Sequence, residues 1–247
     1  MLHIALFIWS YDCQEIMKVS VVMATFNKAE YLRRTLNSIV IQNVPFDYEI
    51  IVVDDGSSDD TKQVCKEFPV RYAYLDRPQF LNPGPARNVG YRMAKGDIII
   101  NQSDDVEHRT PDAIEKLVGE LTPNSCVFAS VYNTNASNNS RRSKKTLCAP
   151  YYKRPLFFLG SVWKRHLFAV GGNDEYFIRP AYEDRWLAVC LAHLGIKFSF
   201  SSNIVGWHHD HPRLDTDYSD SKRVYRHKCK EAAEGRHPWT ARTGAWV

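Results

Sequence analysis

Residues 19–100 switch repeatedly between two hydrophobic periods, and that alternation constrains the fold more than any other feature of the chain. Val19-Ser20-Val21-Val22-Met23 is an apolar run of strand length, and the apolar residues that follow, Tyr31, Leu32, Leu36, Ile39 and Val40, recur at helical spacing. A second run covers 49–53, and the pattern repeats as a helix over 59–68, a strand over 70–75, a helix over 85–94 and a strand over 97–100. Continuous apolar strands separated by helices of this length require right-handed crossovers. They predict a mainly parallel sheet covered on both faces, the α/β class. At 44% hydrophobic and 24% charged, the 247-residue chain is neither disordered nor fibrous, and its length suffices for a substantial core.

Beyond residue 108 the alternation loosens. Thr110-Pro111 reads as an N-cap and first-turn pair opening a helix. A strand is expected over 126–131, a polar and basic loop over 133–145, a helix over 182–194 and strand-like segments over 197–200 and 203–207. No repeat or composition break divides the chain. Residues 1–16 read as a dispensable extension with Met17 as an alternative start, 17–212 as one domain, and 213–247 as a basic, aromatic tail. Six scattered cysteines without a CxxC pair suit a reducing compartment, and no window of about 18 apolar residues suggests a membrane span. The expected location is therefore cytoplasmic.

Open α/β sheets bind ligands beyond the carboxyl ends of their strands. Three strand ends carry polar or aromatic residues there: Ala24-Thr25-Phe26-Asn27, Asp54-Asp55-Gly56-Ser57-Ser58-Asp59 and Asn101-Gln102-Ser103-Asp104-Asp105. Neither a dinucleotide Gly-x-Gly-x-x-Gly nor a P-loop accompanies them. Adjacent carboxylates are costly unless solvated, hydrogen-bonded or bound to a cation. A lone pair would read as a helix cap, but two at one sheet edge favour a nucleotide and metal site. Glu183-Asp184 opens a helix, where acids also answer the macrodipole. His208, His209 and His211 crowd four positions after a strand, as a metal site or as a surface histidine cluster.

These segments resemble the inverting GT-A glycosyltransferases of family 2. The resemblance runs through Val19–Lys28, Ile51–Asp59, Gly84-Pro85-Ala86-Arg87-Asn88-Val89-Gly90, Ala94-Lys95-Gly96-Asp97, Ser103-Asp104-Asp105, Val170-Gly171-Gly172-Asn173-Asp174-Glu175 and Tyr182-Glu183-Asp184, over roughly residues 18 to 211. It implies a nucleotide-sugar donor, UDP-linked by expectation, bound by the 17–108 half of the domain, with acceptor binding and catalysis in the 109–212 half. Ala24, Thr25, Phe26 and Asn27 would form the base-contacting turn, with Phe26 as its stacking face, and Asp55 would accept from a uracil imide. Arg87 would face the donor diphosphate or sugar, and Asp104 the ribose or sugar. Asp105 would bind a divalent cation, completed by His208, with His211 a phosphate or outer partner and His209 a competitor for the ligand role. Mixed carboxylate and imidazole ligation favours Mn²⁺ over Mg²⁺. Asp184 would be the general base and Glu183 an orienting group.

The same resemblance implies transfer of one sugar per turnover to a glycan or glycoconjugate acceptor, since the Gln-x-x-Arg-Trp signature of processive synthases is absent. An inactive nucleotide-sugar-binding scaffold would be expected to lack Asp105, Asp184 or His208, and a pyrophosphorylase would need a Gly-rich loop after the first strand. The net charge of +4 is too small to argue for nucleic acid. The basic run over 222–230 with Trp239 and Trp246 has two readings, the solvated face of a helix or a peripheral contact with an anionic membrane.

Overall fold

The computed structural model describes residues 18–77, 82–134, 146–148, 155–177, 179, 181–211 and 217–241. The 1–16 extension, most of the 133–145 loop and Trp246 lie outside the described residues. Four strands, β1 (Val19–Thr25), β2 (Tyr48–Asp54), β3 (Val70–Tyr74) and β4 (Ile98–Gln102), form a parallel half-sheet in the order β3-β2-β1-β4. Helices α1 (Ala29–Val40), α2 (Thr61–Cys65) and α3 (Gly84–Met93) provide the crossovers. Val21, Val22, Met23, Ile51, Val52, Val53, Ile99 and Ile100 are fully buried, which is why their strands read as unbroken apolar runs rather than alternating ones. Gly90 lets α3 lie directly on the sheet, because a Cβ there would stand 2.4 Å from Val22 Cγ1.

The second half departs from clean alternation. It comprises β5 (Val106–His108), α4 (Ala113–Gly119), β6 (Ser125–Asn133), β7 (Thr146–Cys148), β8 (Leu159–Trp163), α5 (Lys164–Ala169), α6 (Glu183–His193), β9 (Lys197–His208) and α7 (Ser219–Ala233). β8 runs antiparallel between β4 and β6, and the sheet continues through β9 to β5, with β7 on β6. The strands expected at 197–200 and 203–207 are one strand. β9 keeps its pairing with β6 across an irregularity where Ala129 faces Ser201 but the next residue, Ser130, faces Val205. α2 is shorter than the 59–68 helix expected. β5 has too few residues to show a period, and Gly160 interrupts the pattern of β8.

The basic run over 222–230 lies on α7, which is docked rather than free. Lys228 Nζ reaches Asp174 Oδ2 at 2.7 Å with both side chains buried, and Trp239 stacks on His193 with centroids 3.6 Å apart. Among the described residues no helix is long and apolar enough to cross a membrane.

Candidate active site

The turn after β1 and the turn after β2 are tied together at the sheet edge. Asn27, at φ 49°, donates its backbone N–H to Ser57 Oγ at 2.8 Å, and its side-chain oxygen accepts from the Ser58 N–H at 2.8 Å. Asp54 is a structural acid: Oδ1 accepts from the Ser57 N–H and Oδ2 from the Tyr72 hydroxyl. Asp59 accepts from the N–H groups of Ala29 and Thr61, the first residues of α1 and α2. Asp55 takes neither role. It is buried against Arg77, whose Nη1 lies 2.9 and 3.2 Å from its two oxygens, and burial pushes its carboxyl up to about 6 against the pull of Arg77. Phe26 and Ala24 are half-buried beside buried Thr25 on the same turn.

Asp104 and Asp105 follow β4 and are both buried. The strand they lead into, β5, pairs antiparallel with the end of β9, Val106 opposite His208, and the His209 N–H donates to the Asp105 carbonyl at 2.8 Å. This register delivers the histidines to the carboxylate. His211 Nε2 lies 2.9 Å and His208 Nε2 3.5 Å from Asp105 Oδ2, and the ligand atoms of the three residues all fall within 4.8 Å of one another. His208 Nδ1 is 2.9 Å from Asn133 Oδ1, an oxygen that only accepts, so Nδ1 donates there and the ring is held with Nε2 toward Asp105. His209 turns the other way, to Glu107 Oε2 at 2.8 Å. The structure thus brings His208 and His211 to Asp105 and leaves His209 apart, whereas the sequence offered all three with His211 as an outer partner.

Lys28 escaped the sequence analysis. Its ammonium lies 2.6 Å from Asp105 Oδ2 and 3.3 Å from Asp104 Oδ1. Burial disfavours the charged form of Asp105, but hydrogen bonds from His208 and His211 and the Lys28 charge outweigh it and hold the carboxyl well below the usual range. Asp104 shifts upward, through burial and the neighbouring Asp105 charge, despite Lys28. Asp105 Oδ1 is buried with no hydrogen-bond partner among the described residues. One buried carboxylate with an unused oxygen and two imidazoles form a donor set that suits a divalent cation such as Mn²⁺.

Glu183 and Asp184 start α6 after two consecutive residues in the left-handed region, Ala181 at φ 83° and Tyr182 at φ 70°. Such backbone is unfavourable for residues with a Cβ and persists where the surroundings fix it. Here α7 helps, with the Tyr182 and Tyr225 rings 5.5 Å apart. Arg87, expected to face the donor, is buried with Nη1 2.6 Å from Asp184 Oδ1. Asn88 locks the preceding segment onto α3: its amide donates to the Asn173 carbonyl, and its oxygen accepts from the Asn173 N–H, both at 2.8 Å.

Glu183 is buried, and its Oε2 has no hydrogen-bond partner among the described residues. Burial, reinforced by the adjacent Asp184 charge and opposed by Arg87, pushes its carboxyl up to about 8. The shift favours the neutral carboxyl, which is suited to donate a hydrogen bond. A raised native value means the folded protein binds more protons than the unfolded chain between about pH 4.5 and 8, so this contribution to stability is complete below that window and lost as pH rises through it. Glu183→Gln should flatten the pH dependence of the melting temperature over that window; an unchanged profile would contradict the shift.

Residues 20–185 match the family described as Glycosyl transferase family 2. The chain therefore belongs to glycosyltransferase family 2, and it carries the GT-A fold. Poly(ribitol-phosphate) β-N-acetylglucosaminyltransferase TarP of Staphylococcus aureus is 39% identical over 97 residues, which are 37% of this chain and 29% of that protein. The crystal structure of Staphylococcus aureus TarS in complex with UDP superposes with a TM-score of 0.64 at 17% identity, covering 88% of this chain and 72% of the other. Mannosyltransferase PcManGT from Pyrobaculum calidifontis, in complex with GDP-Man and Mn²⁺, gives 0.63 at 20% identity, covering 90% and 65%. The family match ends at residue 185, so the histidines of β9 and beyond are placed by the structure of this chain alone.

Proposed function

We propose that this protein is a metal-dependent, inverting glycosyltransferase that moves one sugar from a nucleotide-sugar donor, UDP-linked, to a hydroxyl of a glycan or glycoconjugate acceptor. The observation that carries the proposal is the β5–β9 register, which sets two imidazoles on the carboxylate at the β4 edge. Asp105, His208 and His211 would hold the cation. A divalent cation there supplies a charge that neutralises the diphosphate as it departs.

The protein side chains divide the remaining work. Phe26 offers a face to the nucleobase, while Asp55 accepts from an imide N–H and Arg77 donates beside it. Glu183, neutral, donates a hydrogen bond to a sugar hydroxyl. Asp184, held in orientation by Arg87, takes the proton of the acceptor hydroxyl; that oxygen forms its bond to the anomeric carbon as the bond to the nucleoside diphosphate breaks on the opposite face. A single displacement inverts the configuration and requires no enzyme nucleophile. The description of TarS as a UDP complex and of PcManGT as a complex with GDP-Man and Mn²⁺ supports both the donor class and the cation.

Calorimetric titration with UDP, GDP, ADP and CDP, with and without Mn²⁺, tests the proposal. The expected result is Mn²⁺-dependent binding with UDP tightest. No binding of any of the four in the presence of Mn²⁺ would overturn it, and a preference for GDP would overturn the UDP assignment.

A further inference from the structure

Beside the metal-ligating edge lies an open cavity of about 640 Å³ that the transfer chemistry does not use. It follows from the same register. Val106 pairs with His208 and Glu107 with Trp207, while on the other side of β9 Tyr132 pairs with Trp207 and Asn133 with His208. Side chains alternate across a sheet, so His208 faces the metal ligands while Trp207 and Glu107 share the opposite face. Trp207 is 41% exposed there, an unusual state for so large a side chain on a strand. The Arg109 guanidinium lies 3.9 Å from the centre of its ring and 3.3 Å from Glu107 Oε1. The N-terminal part of α1 provides the facing wall, with Tyr31 and the Glu30–Arg34 ion pair.

The chemistry of this lining selects among ligands. Three carboxylates, from Glu30, Glu107 and Asp210, outnumber the two guanidiniums of Arg34 and Arg109, which disfavours a phosphate, a polyanion or nucleic acid. The Tyr31 ring and the exposed part of Trp207, one face of which Arg109 covers, suit the C–H face of a pyranose. Carboxylates accept from hydroxyl pairs and guanidiniums donate to them in bidentate fashion. The volume falls within the usual range for small-molecule sites and has room for more than one sugar ring.

Its position links it to transfer. Glu107, in the cavity wall, holds His209 at 2.8 Å, and the Tyr31 ring lies 6.1 Å from that of His209 and 5.7 Å from that of His211. A ligand in the cavity would press on the side chains that border a proposed metal ligand. We propose that this cavity is a carbohydrate subsite for a neutral or N-acetylated unit of the acceptor chain, distinct from the unit that receives the transferred sugar. The proposal rests on the glycosyltransferase reading for the ligand's role, though binding itself does not depend on turnover.

Calorimetry or saturation-transfer NMR with two- to six-residue oligomers of β-linked N-acetylglucosamine, β-linked glucose and α-linked glucose tests it, with dextran sulfate as a polyanion. At least one neutral series should bind saturably and more tightly with length. Trp207→Ala should weaken that binding at least tenfold and Trp207→Tyr less, while UDP with Mn²⁺ binds all three proteins alike. The proposal is overturned if no neutral series saturates on protein that binds UDP with Mn²⁺, if Trp207→Ala leaves binding unchanged, or if dextran sulfate binds more tightly than every neutral series. Saccharide binding that depends on Trp207 in a protein unable to bind UDP would sustain the subsite and sink the transferase reading instead.

Discussion

Asp184→Asn is expected to lower kcat by about 10³-fold, within the range general-base catalysis contributes, while leaving the affinity for UDP with Mn²⁺ within about twofold. The asymmetry follows from what the substitution keeps. Asparagine retains an oxygen where Asp184 Oδ1 meets Arg87, so the buried guanidinium still has an acceptor and α6 keeps its seat on α3. Only the ability to take a proton goes. Glu183→Gln is the companion, because an amide can still donate where the neutral carboxyl does; its loss should be far smaller. If Asp184→Asn kept more than a tenth of the wild-type kcat, the proton acceptor would have to lie elsewhere.

The second large effect is at the metal ligands. Asp105→Asn should weaken Mn²⁺ binding by at least about 100-fold, more than typical losses at outer-shell positions, and abolish Mn²⁺-dependent binding of UDP. The variant also removes a charged partner of Lys28, which then retains Asp104. His208→Gln and His211→Gln should each weaken the cation, whereas His209→Gln should leave it within about twofold, because that imidazole is engaged by Glu107. Equal losses across the three histidines would contradict the assigned register.

Much of this architecture is legible in the residues. The parallel half-sheet announces itself through apolar runs such as Ile50–Val53, unbroken because both faces are covered. The acids at its edge stand out because paired carboxylates need a reason. What the sequence conceals depends on cross-strand register and on the reach of long side chains. Three residues of β5 and an irregularity in β9 decide which of three nearby imidazoles meets Asp105, and neither has a periodic signature. Lys28 and Arg87 are separated by 77 and 97 positions from the carboxylates they bind most closely, so no local pattern links them. The reading of the 222–230 run as a helix, by contrast, follows from local chemistry, and the run lies within α7.

In the proposed function, donor binding depends on a cation held by a carboxylate and two imidazoles that the β5–β9 pairing brings together. Pulsed EPR of Mn²⁺ bound to the protein with UDP addresses it directly. The expected spectra show ¹⁴N couplings from two imidazoles in the wild type, one in His208→Gln or His211→Gln, and two in His209→Gln. A Mn²⁺–UDP complex with no imidazole nitrogen coupling, or with couplings that vanish in His209→Gln, would contradict it.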